Sequence, residues 1–143
     1  MANPQTITLG ASNVNTLDRA DYIELTPPNP GPNRGETQVA RVFALADATF
    51  AGTIAVNFVL GDDDGNVGIV ECLLTATTMT KAIAGTGAPV LCKVQFPDGS
   101  DKLDLLGASK GGDSPLKWYV GVPAALPAGP SELQLRIAYT DQI

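Results

Sequence analysis

Residues 52–60 read GTIAVNFVL, and this stretch decides the fold class. Its large apolar side chains fall on every second position: Ile54, Val56, Phe58 and Leu60. The intervening positions carry smaller or polar side chains: Thr53, Ala55, Asn57 and Val59. Successive side chains of a strand point to opposite faces, so a period of two predicts a β-strand with one face on a core.

The same alternation recurs along the chain. It is clear in residues 90–96 and 133–139, where apolar side chains alternate with Lys93, Gln95, Gln134 and Arg136. Weaker strand patterns cover residues 6–9, 22–25, 38–45, 67–76, 102–106 and 116–122. Together these stretches predict about nine strands.

Turn-forming residues separate the predicted strands. Residues 61–66, GDDDGN, indicate a hairpin loop, and residues 97–100, PDGS, indicate a tight turn. Further breakers occupy 107–115 and 123–130, and only residues 75–84 are ambiguous between a strand and a short helical turn. Many short strands with no convincing helix predict an all-β, antiparallel two-sheet β-sandwich or jelly roll.

A length of 143 residues is typical of one domain. We expect residues 1–20 to form an extended N-terminal arm with one short strand. Residues 21–143 then form a single β-sandwich domain. This domain includes a Pro-rich loop at 27–35, whose four prolines favour an extended path with few backbone donors.

The charge of the chain argues against nucleic acid and membrane partners. The net charge is −6, and the nine basic residues are scattered rather than clustered, so no basic field exists to neutralise phosphates. The first residues lack the charged and apolar regions of a secretory signal, and no apolar run approaches the length that spans a bilayer. We therefore expect synthesis in a cytoplasm.

The residue types needed for common catalytic sites are missing. The chain has no histidine, which excludes the Ser-His-Asp triad and histidine-based zinc sites. Ser109 lies in a G-x-S-x-G string and Ser114 in an S-x-x-K string with Lys117, but neither string has the helix that its motif requires. We expect no enzyme activity, no catalytic residue and no cofactor.

Two further groups of residues leave alternatives open. Asp62, Asp63 and Asp64 form either a solvated hairpin tip, which we favour, or a calcium site of carboxylate oxygens. We expect no metal there, because the spacing departs from an EF-hand loop. Cys72 and Cys92 share the parity of apolar neighbours, so buried free thiols are favoured over a disulfide.

Trp118 and Tyr119 are adjacent in a predicted strand and must face opposite ways. One of them belongs to the core, and the other is exposed. An exposed aromatic side chain is able to anchor a protein or a sugar.

In general character the sequence resembles bacteriophage head decoration (cement) proteins. The shared features are small size, an acidic β-domain rich in Gly, Pro and Thr, a Met1-Ala2-Asn3-Pro4 start, and no histidine or catalytic set. The resemblance covers the whole chain and involves no specific motif. It implies a homotrimer on a symmetry axis of the capsid, where such proteins stabilise the shell against internal DNA pressure.

We therefore expect a structural virion protein on the outer capsid surface that binds across neighbouring subunits of the major capsid protein. The expected contacts lie in the arm, the Pro-rich loop and the strand at 116–122: Asn3, Pro4, Thr6, Pro27, Pro28, Pro30, Pro32, Arg34 and Tyr119. Two alternatives remain. One is a small jelly-roll coat, tail or fibre subunit, and the other is a carbohydrate- or ligand-binding β-sandwich module, which predicts a monomer.

Overall fold

The computed structural model describes residues 5–10, 14, 21–26, 38–48, 50–62, 65–76, 90–105 and 117–141. Within these ranges the chain forms nine strands and no α-helix, which confirms the all-β prediction. The strands are β1 (Gln5–Leu9), β2 (Ile23–Glu24), β3 (Gln38–Ala46), β4 (Thr53–Asp62), β5 (Gly65–Ala76), β6 (Val90–Gln95), β7 (Lys102–Asp104), β8 (Lys117–Gly121) and β9 (Leu133–Asp141).

Each of the nine predicted stretches contains a strand, but the β4–β5 hairpin is longer than expected. Asp62 pairs with Gly65, so part of the predicted 61–66 loop belongs to the ladder. A register shift between Leu60 and Gly61 and the positive φ of 137° at Gly65 let pairing continue to the tip. Of the ambiguous 75–84 stretch, residues 75 and 76 end β5, and the remainder lies outside the described residues.

The strands form one sheet in the order β1-β9-β3-β6-β5-β4-β8-β2, and β7 also pairs with β3. All pairs between named strands are antiparallel, as predicted. β9 pairs with β3 over nine residues and with β1 on its other side. A single parallel bridge, Val14 to Val122, lies outside the named strands of the described part.

Two short strands, β6 and β7, pair with the same edge of β3. The C-terminal end of β3, residues 44–46, pairs with β6, and residues 39–41 pair with β7. β6 then continues along β5 instead of β3, so the chain leaves β3 after Cys92 and returns at Asp101. The tight turn at 97–100 reverses this excursion. As predicted, Asp98 accepts the Ser100 amide at 3.0 Å and Gly99 has a positive φ of 86°.

Side chains rather than backbone connect the two ends of the strand order, β1 and β2. The Gln5 carboxamide donates to the Glu24 carbonyl at 3.2 Å and accepts the Thr26 amide at 2.9 Å. The Tyr139 hydroxyl donates to the same Gln5 oxygen. These bonds bring the sheet close to a closed, barrel-like form.

The core fills the inside of this nearly closed sheet. Every strand long enough to alternate buries one parity of apolar side chains; Ile7, Val42, Phe58, Leu74 and Ile137 are among the most completely buried. The Phe58 and Phe96 rings pack at 5.3 Å between centroids, tilted by 53°. The predicted inner parity of residues 52–60 is therefore confirmed.

Candidate functional site

Two of the predicted contact residues fall within the described residues. Thr6 is exposed on β1, where it pairs with Arg136 of β9, and Tyr119 is half-buried on β8, where it pairs with Glu24 and Val59. The structure does not place these two side chains in one cross-strand row. The other predicted contacts lie outside the described residues: Asn3, Pro4, Pro27, Pro28, Pro30, Pro32 and Arg34.

The Trp118–Tyr119 prediction is confirmed for the core side chain, because Trp118 is buried; Tyr119 faces outwards but is half-buried rather than exposed. Among the described side chains, the Trp118 indole nitrogen is the one buried polar atom without a hydrogen-bond partner.

Tyr119 begins an apolar row on the outer side of the sheet. Val59 lies next to it on β4 and is 3% exposed, although it points away from the core, and Ile69 follows on β5.

The outer side of β5 carries an acidic side chain between two apolar ones. Ile69 is 50% exposed and Leu73 is 39% exposed, and the exposed Glu71 lies between them on the same face. We call Ile69, Glu71 and Leu73 the acidic–apolar face. Glu71 has no ion pair with another described residue, so its carboxylate is available to a partner.

The outer side of β3 and β9 has the opposite charge. Phe43 is 46% exposed and pairs directly with the exposed Arg136. Arg41 lies two residues before Phe43 on the same face and is 3.9 Å from an Asp101 carboxylate oxygen. We call Arg41, Phe43 and Arg136 the basic–apolar face. Within the described part of the chain, Arg136 has no ion pair.

A third area of the outer surface is covered from within the chain. Asn57 faces outwards on β4 but is only 8% exposed, because Tyr22 lies across this region and hydrogen-bonds to it. The Tyr22 ring lies against Gly121 of β8, where only a hydrogen atom fits. Burial raises the pKa of Tyr22, and the hydrogen bond to Asn57 opposes this shift.

A shallow pocket of about 150 Å³ is lined by Leu45, Ala46, Asp47, Glu132 and Gln134. Asp47 accepts the Ser131 amide at 2.8 Å, the Ser131 hydroxyl and the Glu132 amide. These bonds hold the pKa of Asp47 below its usual value. The carboxylate therefore anchors the start of β9 through Ser131 and Glu132.

Cys72 and Cys92 are free and buried, which confirms the thiol prediction. Burial raises the pKa of Cys72 to about 12 and that of Cys92 to about 11. Both side chains therefore remain thiols at physiological pH and act as small apolar residues.

Within the described ranges, the other candidate groups form no reactive cluster. No three acidic or cysteine side chains among the described residues converge as metal ligands; the Asp62–Asp64 calcium hypothesis stays untested, since residues 63 and 64 are not described. Ser109 and Ser114 also lie outside the described ranges, and Lys117 pairs with Glu24 at 3.9 Å. None of the described segments is a helix of the length and apolarity that crosses a bilayer.

The outward-facing residues Phe43, Ile69 and Leu73 were not predicted as contacts. A signal for them exists, because residues 38–45 and 67–76 carry apolar side chains on both parities. A strand with one core face does not need this second apolar set.

No protein family, no curated protein and no solved structure matches the chain.

Proposed function

We propose that this chain is a structural virion protein that decorates and stabilises a phage capsid by binding across neighbouring capsid subunits. The observation that carries the proposal is the apolar outer surface of the sheet, where Phe43, Ile69 and Leu73 are 46%, 50% and 39% exposed. Ile69 also lies in one cross-strand row with the buried Val59 and the half-buried Tyr119. Exposed apolar side chains on the outer face of a sheet favour contacts with other protein subunits.

The state of the polar groups also favours a binding role over catalysis. Asp47 is engaged by Ser131 and Glu132, and the two thiols are buried with raised pKa values. The chain has no histidine to serve as a general base near neutral pH. The sheet therefore offers outward-facing contact side chains rather than reactive groups.

We further propose that the nearly closed sheet is a two-layer sandwich of the jelly-roll type. The shared edge of β3 supports this division, because β6 leaves β3 for β5 while β7 remains on β3. One layer then contains β1, β9, β3 and β7, and the other contains β6, β5, β4, β8 and β2. The Gln5 bonds to Glu24 and Thr26 join the opposite edges of these layers.

The proposed partner is the major capsid protein, and the proposed assembly is a homotrimer on the outer capsid surface. Thr6 and Tyr119 remain proposed contacts, together with the other predicted positions: Asn3, Pro4, Pro27, Pro28, Pro30, Pro32 and Arg34. Ile7 and Leu9 are buried in the core, so removing the N-terminal residues would also remove β1. Point substitutions on the outer face are therefore the better probes.

The proposal is tested by co-sedimentation of the purified chain with capsids that lack it. We expect saturable binding at a fixed ratio to capsid subunits, and shells that withstand higher temperature. Tyr119→Ser should weaken binding, whereas the control Thr53→Ser, at an exposed position on β4, should not.

Two results would contradict the proposal and favour one of the two alternative functions. Self-assembly into closed or open arrays without a capsid would favour a coat, tail or fibre subunit. No binding to shells, combined with monomeric behaviour and saturable binding of a glycan, would favour the ligand-binding module. In that module the outward-facing Tyr119, rather than the buried Trp118, would contact the sugar.

A further inference from the structure

The basic–apolar and acidic–apolar faces are complementary in both charge and character. The first presents an exposed aromatic ring beside Arg136 and Arg41, and the second presents a carboxylate between two exposed aliphatic side chains. A ring placed between Ile69 and Leu73 would bring the neighbouring guanidinium groups towards Glu71. The two faces lie on β3–β9 and on β5, which β6 separates in the strand order.

We propose that the basic–apolar face of one copy of this chain binds the acidic–apolar face of the next copy. In this contact Phe43 packs on Ile69 and Leu73, and Arg136 pairs with Glu71. This inference deepens the proposed function and rests on it for the expectation of a homo-oligomer. Its contact residues, however, belong to the chain alone and require no capsid.

Charge favours a second copy in this orientation over other arrangements. Arg136 and Glu71 both lack an ion pair among the described residues, whereas Arg41 already contacts Asp101. Two basic–apolar faces would bring guanidinium groups together, and two acidic–apolar faces would bring carboxylates together. Like charges at an interface are unfavourable, so each face selects the other rather than itself.

Two symmetries satisfy a contact between two different faces of one chain. Repeated head to tail, the contact produces a ring if the rotation closes and an open chain of subunits if it does not; a two-fold axis forms the contact twice in one pair, because both faces lie on the outer side of the sheet. A ring of three would supply the homotrimer of the proposed function. A pair related by a two-fold axis would instead give a dimer, so the mass measured in solution separates the two arrangements.

The test is a charge exchange followed by light scattering and sedimentation equilibrium over a range of concentrations. The wild-type chain, of 14.8 kDa, should form an oligomer whose population rises with concentration. Arg136→Glu and Glu71→Arg should each weaken the dissociation constant by about tenfold or more, because each places like charges in the contact. The double variant E71R/R136E should recover most of the wild-type affinity.

Three controls keep the result specific. Lys117→Glu reverses a charge outside both faces and should leave association unchanged. Phe43→Ser should weaken association without recovery by either charge variant. Thermal melting of each variant confirms folding, which should persist since all three altered side chains of the two faces are exposed.

A wild-type chain that remains monomeric at every concentration would overturn the inference, as would single variants that retain the wild-type mass or a double variant that fails to recover. Co-sedimentation with shells answers a separate question. A wild-type oligomer that does not bind shells would overturn the proposed function while supporting the face pairing. A monomer that binds shells would overturn the face pairing while supporting the proposed binding to capsids.

Discussion

The ring of Tyr22 lies so close to Gly121 that a β-carbon at residue 121 would overlap it. Tyr22 also hydrogen-bonds to Asn57, which is thereby removed from solvent on the outer side of β4. Gly121 therefore decides how the segment before β2 packs on the sheet. Its role depends on close approach, not on an unusual backbone angle.

Gly121→Ala should lower the free energy of unfolding by about 1–3 kcal/mol, the usual effect of overpacking a close contact. Urea denaturation measures this change. Gly68→Ala is the matched control, because nothing lies within 4 Å of a β-carbon at that strand position. Adding Tyr22→Ala should remove most of the extra loss at residue 121, and equal effects at the two glycines would contradict the packing argument.

Gln5→Ala should open the junction between β1 and β2. The substitution removes the Gln5 hydrogen bonds to the Thr26 amide and the Glu24 carbonyl, which are solvent-exposed, so we expect a loss of about 0.5–1.5 kcal/mol for each bond. Hydrogen exchange at the Thr26 amide should accelerate. Thr8→Ala, at an exposed position of the same strand, serves as the control.

The contact between Gln5 and Tyr139 can be isolated with a double-mutant cycle. Because Gln5→Ala and Tyr139→Phe remove the two sides of one hydrogen bond, their effects on unfolding should not be additive. Strictly additive free energies would show that the two side chains stabilise the junction independently.

Acid should destabilise the start of β9 through Asp47. The folded-state pKa lies below the usual 3.8, so the stabilising contribution is present above that value and is lost as the pH falls through the lower folded-state pKa. The difference in melting temperature between wild type and Asp47→Asn should therefore shrink on acidification below pH 3.8.

The two thiols should resist alkylation in the folded protein. Reaction requires a thiolate and access, and the pKa values of about 12 for Cys72 and about 11 for Cys92 accompany burial. Mass spectrometry after iodoacetamide treatment at pH 8 should show no modification in buffer and two modifications in denaturant. Rapid labelling of the native chain would indicate that β5 or β6 opens readily.

The inner half of the fold follows from local patterns. Period-two alternation is enough to assign Phe58 and Ile137 to the core, and the PDGS turn forms as its residue types predict. These features depend on side chains a few positions apart. They can therefore be read without knowledge of strand order.

The outer surface could not be predicted in the same way. The largely buried Asn57 hydrogen-bonds to Tyr22, which comes from a distant part of the sequence, and the Phe43–Arg136 pair exists only through the register between β3 and β9. Likewise, Gln5 meets Tyr139 only through the pairing of β1 with β9, and it meets Thr26 only where the two ends of the strand order come together. Local periodicity contains no information on these long-range pairings.

The position of β9 between β1 and β3 has a consequence for synthesis on the ribosome. The last strand in chain order fills the gap between two of the earliest strands, so β1 has no backbone partner among the described strands until residues 133–141 have emerged. Contacts of such large sequence separation form slowly. Nascent chains should therefore remain incompletely folded, with the edges of β1 and β3 unpaired, until β9 has been synthesised.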